Sequence, residues 1–301
     1  MNVVIAGGTG FLGRSLAADL ASGHDVVVLS RDPAKVPPPG TGRLAAWSPD
    51  GDGAWRDLVA QADVIVNLAG ESIAARRWSA AQKRRILDSR LQATRALARA
   101  LVAAPPRPRT FVSASAVGYY GPLGDEVVTE AHPAGSDFLA DVCRQWEAAA
   151  LEAGHAARVV CIRTGLVLDR RGGALPRMLP PFWIGAGGPL GSGRQYWPWI
   201  HLADWTALVR WVIETPDVSG PVNATAPEPV TNAAFAQELG RVLRRPAVLP
   251  TPAFLLRLAL GEMADALLLS GQRAIPAKAQ QLGFTFRYVQ VGDALRAIFR
   301  P

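Results

Sequence analysis

The amino-acid sequence predicts an α/β fold in which a doubly wound parallel sheet carries a small, mostly helical C-terminal part. Three observations lead there. The first half alternates short β-branched runs with amphipathic segments, the pattern of successive strand-helix-strand units. A glycine-rich turn, Gly7-Gly8-Thr9-Gly10-Phe11-Leu12-Gly13, joins the first apolar run to the first amphipathic one. After Thr164 the texture changes to a Gly/Pro-rich stretch, then to segments punctuated by Pro227, Pro229, Pro246, Pro250, Pro252 and Pro276. Right-handed crossovers turn the alternation into a sheet of Rossmann type.

Strands are expected over 3–6, 25–29, 43–47, 64–68, 110–114 and 159–164, and their apolar continuity requires cover on both faces. Helices are expected over 12–22, 54–60, 80–102 and 138–153, the last capped by Ser136 or Asp137 and closed by Gly154. The stretch 170–198 is too long for an ordinary connection and reads as a covering region with a short helix. A helix over 203–215 returns to the sheet. The chain is thereby divided into a sheet domain, 1–168 with 199–225 returning to it, and a smaller domain of 169–198 and 226–301.

With 301 residues, about half of them hydrophobic, the chain can bury a sizeable core. Met1 runs directly into the first strand without a charged leader, and no apolar run approaches the ~18 residues of a membrane span. A soluble, cytoplasmic protein with no membrane partner is expected. Cys143, Cys161 and four isolated histidines lack disulfide or ligand spacing, so no structural metal is expected. The net charge of +7 comes mostly from scattered arginines. Its densest patch, Arg76, Arg77, Lys83, Arg84, Arg85 and Arg90, suits a solvated helix face or an attraction for phosphate-bearing ligands. Without a reading module, no nucleic-acid partner follows.

A diphosphate needs backbone N–H donors close by, so side chains at the turn must nearly vanish and a helix must aim its positive end at the phosphates. Gly7, Thr9, Gly10, Phe11, Leu12 and Gly13 meet that demand at the first strand-helix junction, the context expected for a dinucleotide. The second strand ends at Ser30-Arg31, where an NAD site ordinarily offers a carboxylate to the ribose. A guanidinium there forks a 2′-phosphate, with Ser30 as a second donor, so NADP is expected rather than NAD. Asn67, Leu68, Ala69 and Gly70 would let the chain pass beside the cofactor ribose, and Thr164 and Leu166 complete the cofactor contacts.

The glycine turn, Asn67-Leu68-Ala69-Gly70, the run from Ser113 to Gly121 and Trp199-Ile200-His201-Leu202-Ala203-Asp204 together resemble the extended, epimerase/dehydratase-like branch of the short-chain dehydrogenase/reductase superfamily. More narrowly, Arg77-Trp78, Ser89-Arg90, Phe138-Leu139-Ala140 to Cys143, Trp146-Glu147, the run from Pro227 to Asn232, Arg245-Pro246 and Gly261-Glu262 resemble an atypical "epimerase family" subgroup with its own C-terminal domain. The resemblance implies a tyrosine acid/base, a lysine four residues later and a serine or threonine that orients a substrate carbonyl. This chain departs from it. Four residues beyond Tyr119, Tyr120, Tyr196 and Tyr288 stand Leu123, Gly124, Ile200 and Gly292. Alignment on Glu147 places Leu139 at the tyrosine position, Cys143 at the lysine position and Arg90 at that of an active-site asparagine. The resemblance also implies a homodimer through the helices at 80–102 and 138–153, and makes His201 and Asp204 joints between the domains.

Transfer of hydride to a carbonyl also requires a proton donor, which leucine cannot be. The catalytic candidates are therefore Ser115, Tyr119, Tyr120, Cys143 and Arg90, with Glu71 facing substrate and Ser113 as understudy to Ser115. Arg90 needs a carboxylate or phosphate if buried, and positive charge nearby would lower the Cys143 pKa. Arg194 is the candidate anchor for an anionic substrate, while Trp183, Tyr196, Trp197 and Trp199 are candidates to wall the pocket. Two functions are expected: an NADP-dependent oxidoreductase or epimerase-like enzyme on a small polar carbonyl or sugar-nucleotide, or a non-catalytic NADP-binding redox sensor.

Overall fold

The computed structural model describes residues 1–35, 38, 42–107 and 109–299. Its centre is a seven-stranded sheet of β1 (Asn2–Ala6), β2 (Asp25–Ser30), β3 (Arg43–Ala46), β4 (Val64–Asn67), β5 (Thr110–Ala116), β6 (Arg158–Thr164) and β7 (Gly220–Ala224). The order is β7-β6-β5-β4-β1-β2-β3, and every neighbouring pair is parallel. Chain order reverses between β1 and β4, and in open α/β sheets the crevice beyond the carboxyl ends of such a pair receives ligands.

Alternation along the strands feeds two cores. Val3, Ile5, Val26, Val28, Val64, Val66, Val112, Val160 and Ile162 pack under α1 (Phe11–Leu20) and a later helix, Leu202–Glu214. Val4, Val27, Leu29, Ile65, Phe111, Val159 and Cys161 pack under α2 (Trp55–Gln61), α3 (Ala80–Ala103) and α4 (Phe138–Leu151). Asp137, not Ser136, caps α4 by accepting from the Ala140 amide at 2.8 Å. The helix expected in the Gly/Pro-rich stretch is α5 (Leu175–Trp183), and the returning helix, α6, is Leu202–Glu214. Strand β7 was not expected: Gly220-Pro221 hides it, and it exists by pairing with β6 at the sheet edge, where a missing proline N–H is tolerated.

A third core joins the stretch beyond β6 to the C-terminal helices. Leu168, Leu175, Phe182, Trp197 and Trp199 pack with α7 (Asn232–Leu243) and the helix Val291–Phe299. At the amino ends of the strands lies a groove of about 640 Å³ lined by Arg107, Arg109, His155 and Arg158. Several of its guanidinium donors are already used, although Arg109 Nε has no partner among the described residues. Arg109 donates to the carbonyls of Pro105 and Ala60, and Arg158 to those of Val212, Ile213 and Val218, so these arginines close the carboxyl ends of α2 and α6.

Candidate functional site

The glycines of the first turn are required by contact. Gly7 adopts φ +78°, and a Cβ there would lie 2.6 Å from the Leu68 backbone, so the ends of β1 and β4 meet with no side chain between them. A Cβ on Gly13 would lie 2.4 Å from the Gly7 carbonyl oxygen, and one on Gly8 2.7 Å from Val28. The first turn of α1 therefore closes on the strand end, and Gly10 begins the helix without a side-chain cap. Its amides and dipole are left for an anion. Arg14, which sequence reasoning passed over, donates from Nε to the Thr9 carbonyl at 2.9 Å and braces the turn. Phe11 lies against Gly172 and Gly173, where a Cβ on Gly172 would fall 2.4 Å from its ring.

At the end of β2 Arg31 is exposed and its side chain has no described partner, while the buried Ser30 hydroxyl accepts from the Asp32 amide at 3.3 Å. Asn67 is buried. It donates to Thr94 at 2.8 Å and accepts from the Ala69 amide at 3.1 Å, which fixes the course of Leu68, Ala69 and Gly70. Thr164 spends its hydroxyl on the Trp205 indole at 3.1 Å, and Leu166 pairs beside Trp199.

Behind the end of β5 runs a buried polar network that the sequence did not disclose. Arg163 forks Glu147, with Nε and Nη2 each 2.8 Å from a carboxylate oxygen, and also donates to the Tyr120 hydroxyl at 3.0 Å. Ser115 donates to the same Glu147 at 2.6 Å. Tyr120 donates to Asn223 of β7 at 2.6 Å, and the Asn223 amide donates to Glu130. The expectation that Tyr120 serves as acid/base is corrected: its hydroxyl is enclosed and burial pushes its pKa up to about 12. Ser115 is corrected likewise, since its proton is held by Glu147. It can offer a substrate only lone pairs. Ser113 is fully buried, 3.4 Å from the Ala114 carbonyl.

The Cys143 expectation also reverses. Burial, reinforced by the Glu147 charge, pushes the thiol up to about 12, so it is no thiolate. Arg90, half-buried, has no carboxylate hydrogen-bond partner among the described residues. Its Nη1 donates at 2.9 Å to the carbonyls of Glu71 and Ile86, and its guanidinium lies 4.9 Å from the Trp146 ring. Burial lowers its pKa, while Cys143 and Glu71 partly oppose that. Tyr119 is half-buried under the Arg163 guanidinium, 3.5 Å from the ring centre. Glu71 is held by its backbone, between Ser89 and Arg90, and its carboxylate has no described hydrogen-bond partner.

A family model described as the NAD dependent epimerase/dehydratase family matches residues 3–224, and a second, a domain of unknown function (DUF1731), matches 251–298. Among curated proteins, "Epimerase family protein SDR39U1" of Homo sapiens is 39% identical over 306 residues and 99% of both chains. The chain belongs to the NAD dependent epimerase/dehydratase family. "Epimerase family protein ML0860" of Mycobacterium leprae is 42% identical over 303 residues, 99% of this chain and 96% of its own. The crystal structure of human SDR39U1 (isoform2) with NADPH superposes with a TM-score of 0.88 at 38% identity, covering 99% of each chain. MoeE5 in complex with UDP-glucuronic acid and NAD, 21% identical over 99% of this chain and 97% of its own, shares the fold with a TM-score of 0.79.

On α4, Leu139 lies against Gly118, where an added Cβ would fall 3.3 Å from its Cβ. Above it Phe138 meets Trp78 edge-on at 5.0 Å between ring centres, and Lys83 sits 4.9 Å from the Phe138 ring while pairing with Glu262. Asp204 and His201 both reach the C-terminal segment, His201 with its ring centre 4.2 Å from that of Tyr288. Asp204 accepts from the amides of Arg287 and Tyr288 at 2.9 Å each, and His201 Nδ1 accepts from the Ala203 amide at 3.0 Å. One further expectation fails. Trp197 and Trp199 are buried in the third core and Trp183 is exposed, so these tryptophans wall no common pocket. Arg194 is exposed, and only its main-chain amide is bonded, to Ser192.

Proposed function

We propose that the chain is an NADP-dependent oxidoreductase or epimerase-like enzyme of the extended short-chain dehydrogenase/reductase type, acting on a small polar carbonyl or sugar-nucleotide compound. The observation that carries this reading is the pairing of a glycine-closed helix start with an exposed, unpartnered Arg31 at the end of β2. Gly7, Thr9, Gly10, Phe11, Leu12 and Gly13 would hold the diphosphate, Ser30 and Arg31 the 2′-phosphate, and Asn67 to Gly70 the ribose. The human relative crystallised with NADPH supports the choice.

NADP supplies a hydride donor or acceptor when bound. The chain's own share is orientation and the proton. Tyr119 and Glu71 are the remaining groups with an uncommitted titratable atom, and Arg90, pressed along Gly70, supplies the cation that Cys143 cannot. A homodimer through the outer faces of α3 and α4 and a cytoplasmic location belong to the same reading.

A second reading has its own support. Leu139 at the tyrosine position, a Ser115 hydroxyl tied to Glu147 and a neutral Cys143 thiol leave the usual acid/base positions without a free proton donor, which suits a non-catalytic NADP-binding sensor. Fluorescence titration with NADPH and NADH tests the shared foundation. The Arg31→Ala substitution is expected to weaken NADPH binding about tenfold to a hundredfold and leave NADH little changed. Equal losses for both would remove the 2′-phosphate assignment. Hydride transfer to a panel of aldehydes, ketones and sugar-nucleotides then separates enzyme from sensor.

A further inference from the structure

Most of the large exposed apolar side chains among the described residues lie between residues 183 and 258. Trp183 and Ile184 at the end of α5, Val248 and Leu249 in the following proline-rich segment, and Phe254 and Leu258 on the helix Ala253–Leu260 are all exposed, with Ile184 at 81%, Val248 at 75% and Leu258 at 74%. That helix buries none of its residues. Hydrogen bonds join the first two segments, Arg245 Nε to the Trp183 carbonyl at 3.2 Å, the Leu249 amide to Gly187 at 3.2 Å and the Thr251 amide to Pro189 at 2.9 Å, and the helix follows the second directly in the chain. Apolar side chains exposed to this degree on neighbouring segments mark an interaction surface.

Charge identifies the occupant. The segments 170–203 and 239–261 hold no Asp or Glu, and although Arg171, Arg241 and Arg257 pair with Asp169, Glu238 and Asp265 just outside them, Arg194, Arg244 and Arg245 make no ion pair among the described residues. The Arg194 and Arg244 side chains have no described partner, and Arg245 has only a carbonyl. A second copy of the same face would bring arginines against arginines.

We propose that this face docks on an anionic lipid bilayer, with Ile184, Val248, Phe254 and Leu258 entering the headgroup boundary and Arg194, Arg244 and Arg245 meeting lipid phosphates. No helix among the described residues is long and apolar enough to cross a membrane, so the contact is peripheral. It differs from the sequence expectation of no membrane partner, which rested on the absence of a spanning run. It is independent of the cofactor reading, since none of these residues belongs to the glycine turn.

The test is flotation of the full chain with vesicles of phosphatidylcholine alone and of phosphatidylcholine mixed with phosphatidylglycerol. Binding is expected to the mixed vesicles only and to weaken with salt. Phe254→Ser with Leu258→Ser should abolish it, and Arg244→Gln and Arg245→Gln should each weaken it about fivefold. These positions are exposed, so unchanged thermal melting serves as the folding control. No flotation with either vesicle, equal flotation with both, or variants that float like the parent would each overturn the proposal. A dimer in analytical ultracentrifugation that the Phe254/Leu258 double variant splits would also overturn it, by showing that a second copy covers the face.

Discussion

Glu147 is the carboxylate on which the interior of the site turns, because it receives Arg163 through two bonds and Ser115 through a third. A buried pair is costly to break from one side, since the remaining charge keeps its desolvation penalty. Glu147→Gln is therefore expected to lose about 3–5 kcal/mol, read by urea unfolding. Ser115→Ala should lose far less, as it removes one hydrogen bond and leaves the ion pair. His201 offers a pH test. Burial lowers its imidazole from 6.5 to about 4, with Asp169 partly opposing. Between those values the unfolded chain binds a proton that the folded chain refuses. Its effect on stability is absent above pH 6.5 and grows as the pH falls toward 4. Replacing His201 with Asn should flatten the decline in unfolding free energy over that interval.

Among the elements, α1 depends most strictly on its glycines. Gly13→Ala would drive a Cβ to 2.4 Å from the Gly7 carbonyl. The expected result is a loss of about 1–3 kcal/mol in thermal unfolding together with loss of NADPH binding, because the helix start must move off the strand. Binding that survives at full strength would show that the turn holds no diphosphate. This element was legible in the sequence because its demand is local: a strand end, a turn and a helix start within a few residues. The strands of the first half were legible for the same reason, their β-branched runs needing no partner to declare themselves. Strand β7 was not, since Pro221 and Gly220 oppose a strand locally and only the edge of β6 makes them one. The network was hidden differently: Ser115, Tyr120, Glu147, Arg163 and Asn223 come from five elements that only folding brings together. Its signal was present in Arg163, a charge within the buried run Val159-Val160-Cys161-Ile162, and in Glu147 on the apolar face of α4.

For the whole molecule, the third core decides whether the two parts can be separated. Phe235, Leu239, Leu295 and Ile298 cover Leu168, Phe182 and Trp199, and Asp204 at the start of α6 holds the amides of Arg287 and Tyr288. Truncation after Ala226 would leave that surface bare. The shortened chain is expected to be insoluble or aggregated, while the full chain should unfold in a single calorimetric transition. Two resolved transitions would show that the C-terminal helices form an independent unit. The general architecture could be read from composition and spacing, but this dependence could not, because the aromatic residues after β6 look alike whether they wall a cleft or fill a core.

Gly172 presses on Phe11 with no atom to spare. The ring springs from the first turn of α1, while the glycine belongs to a small hairpin whose other arm, Leu166–Asp169, runs alongside Trp199–His201. A tilt of that opening helix has nowhere to go except into the hairpin, and from there into the strand that leads to His201 and the third core. A side chain added at Gly172 would therefore have to displace Phe11 and the start of α1 along with the hairpin.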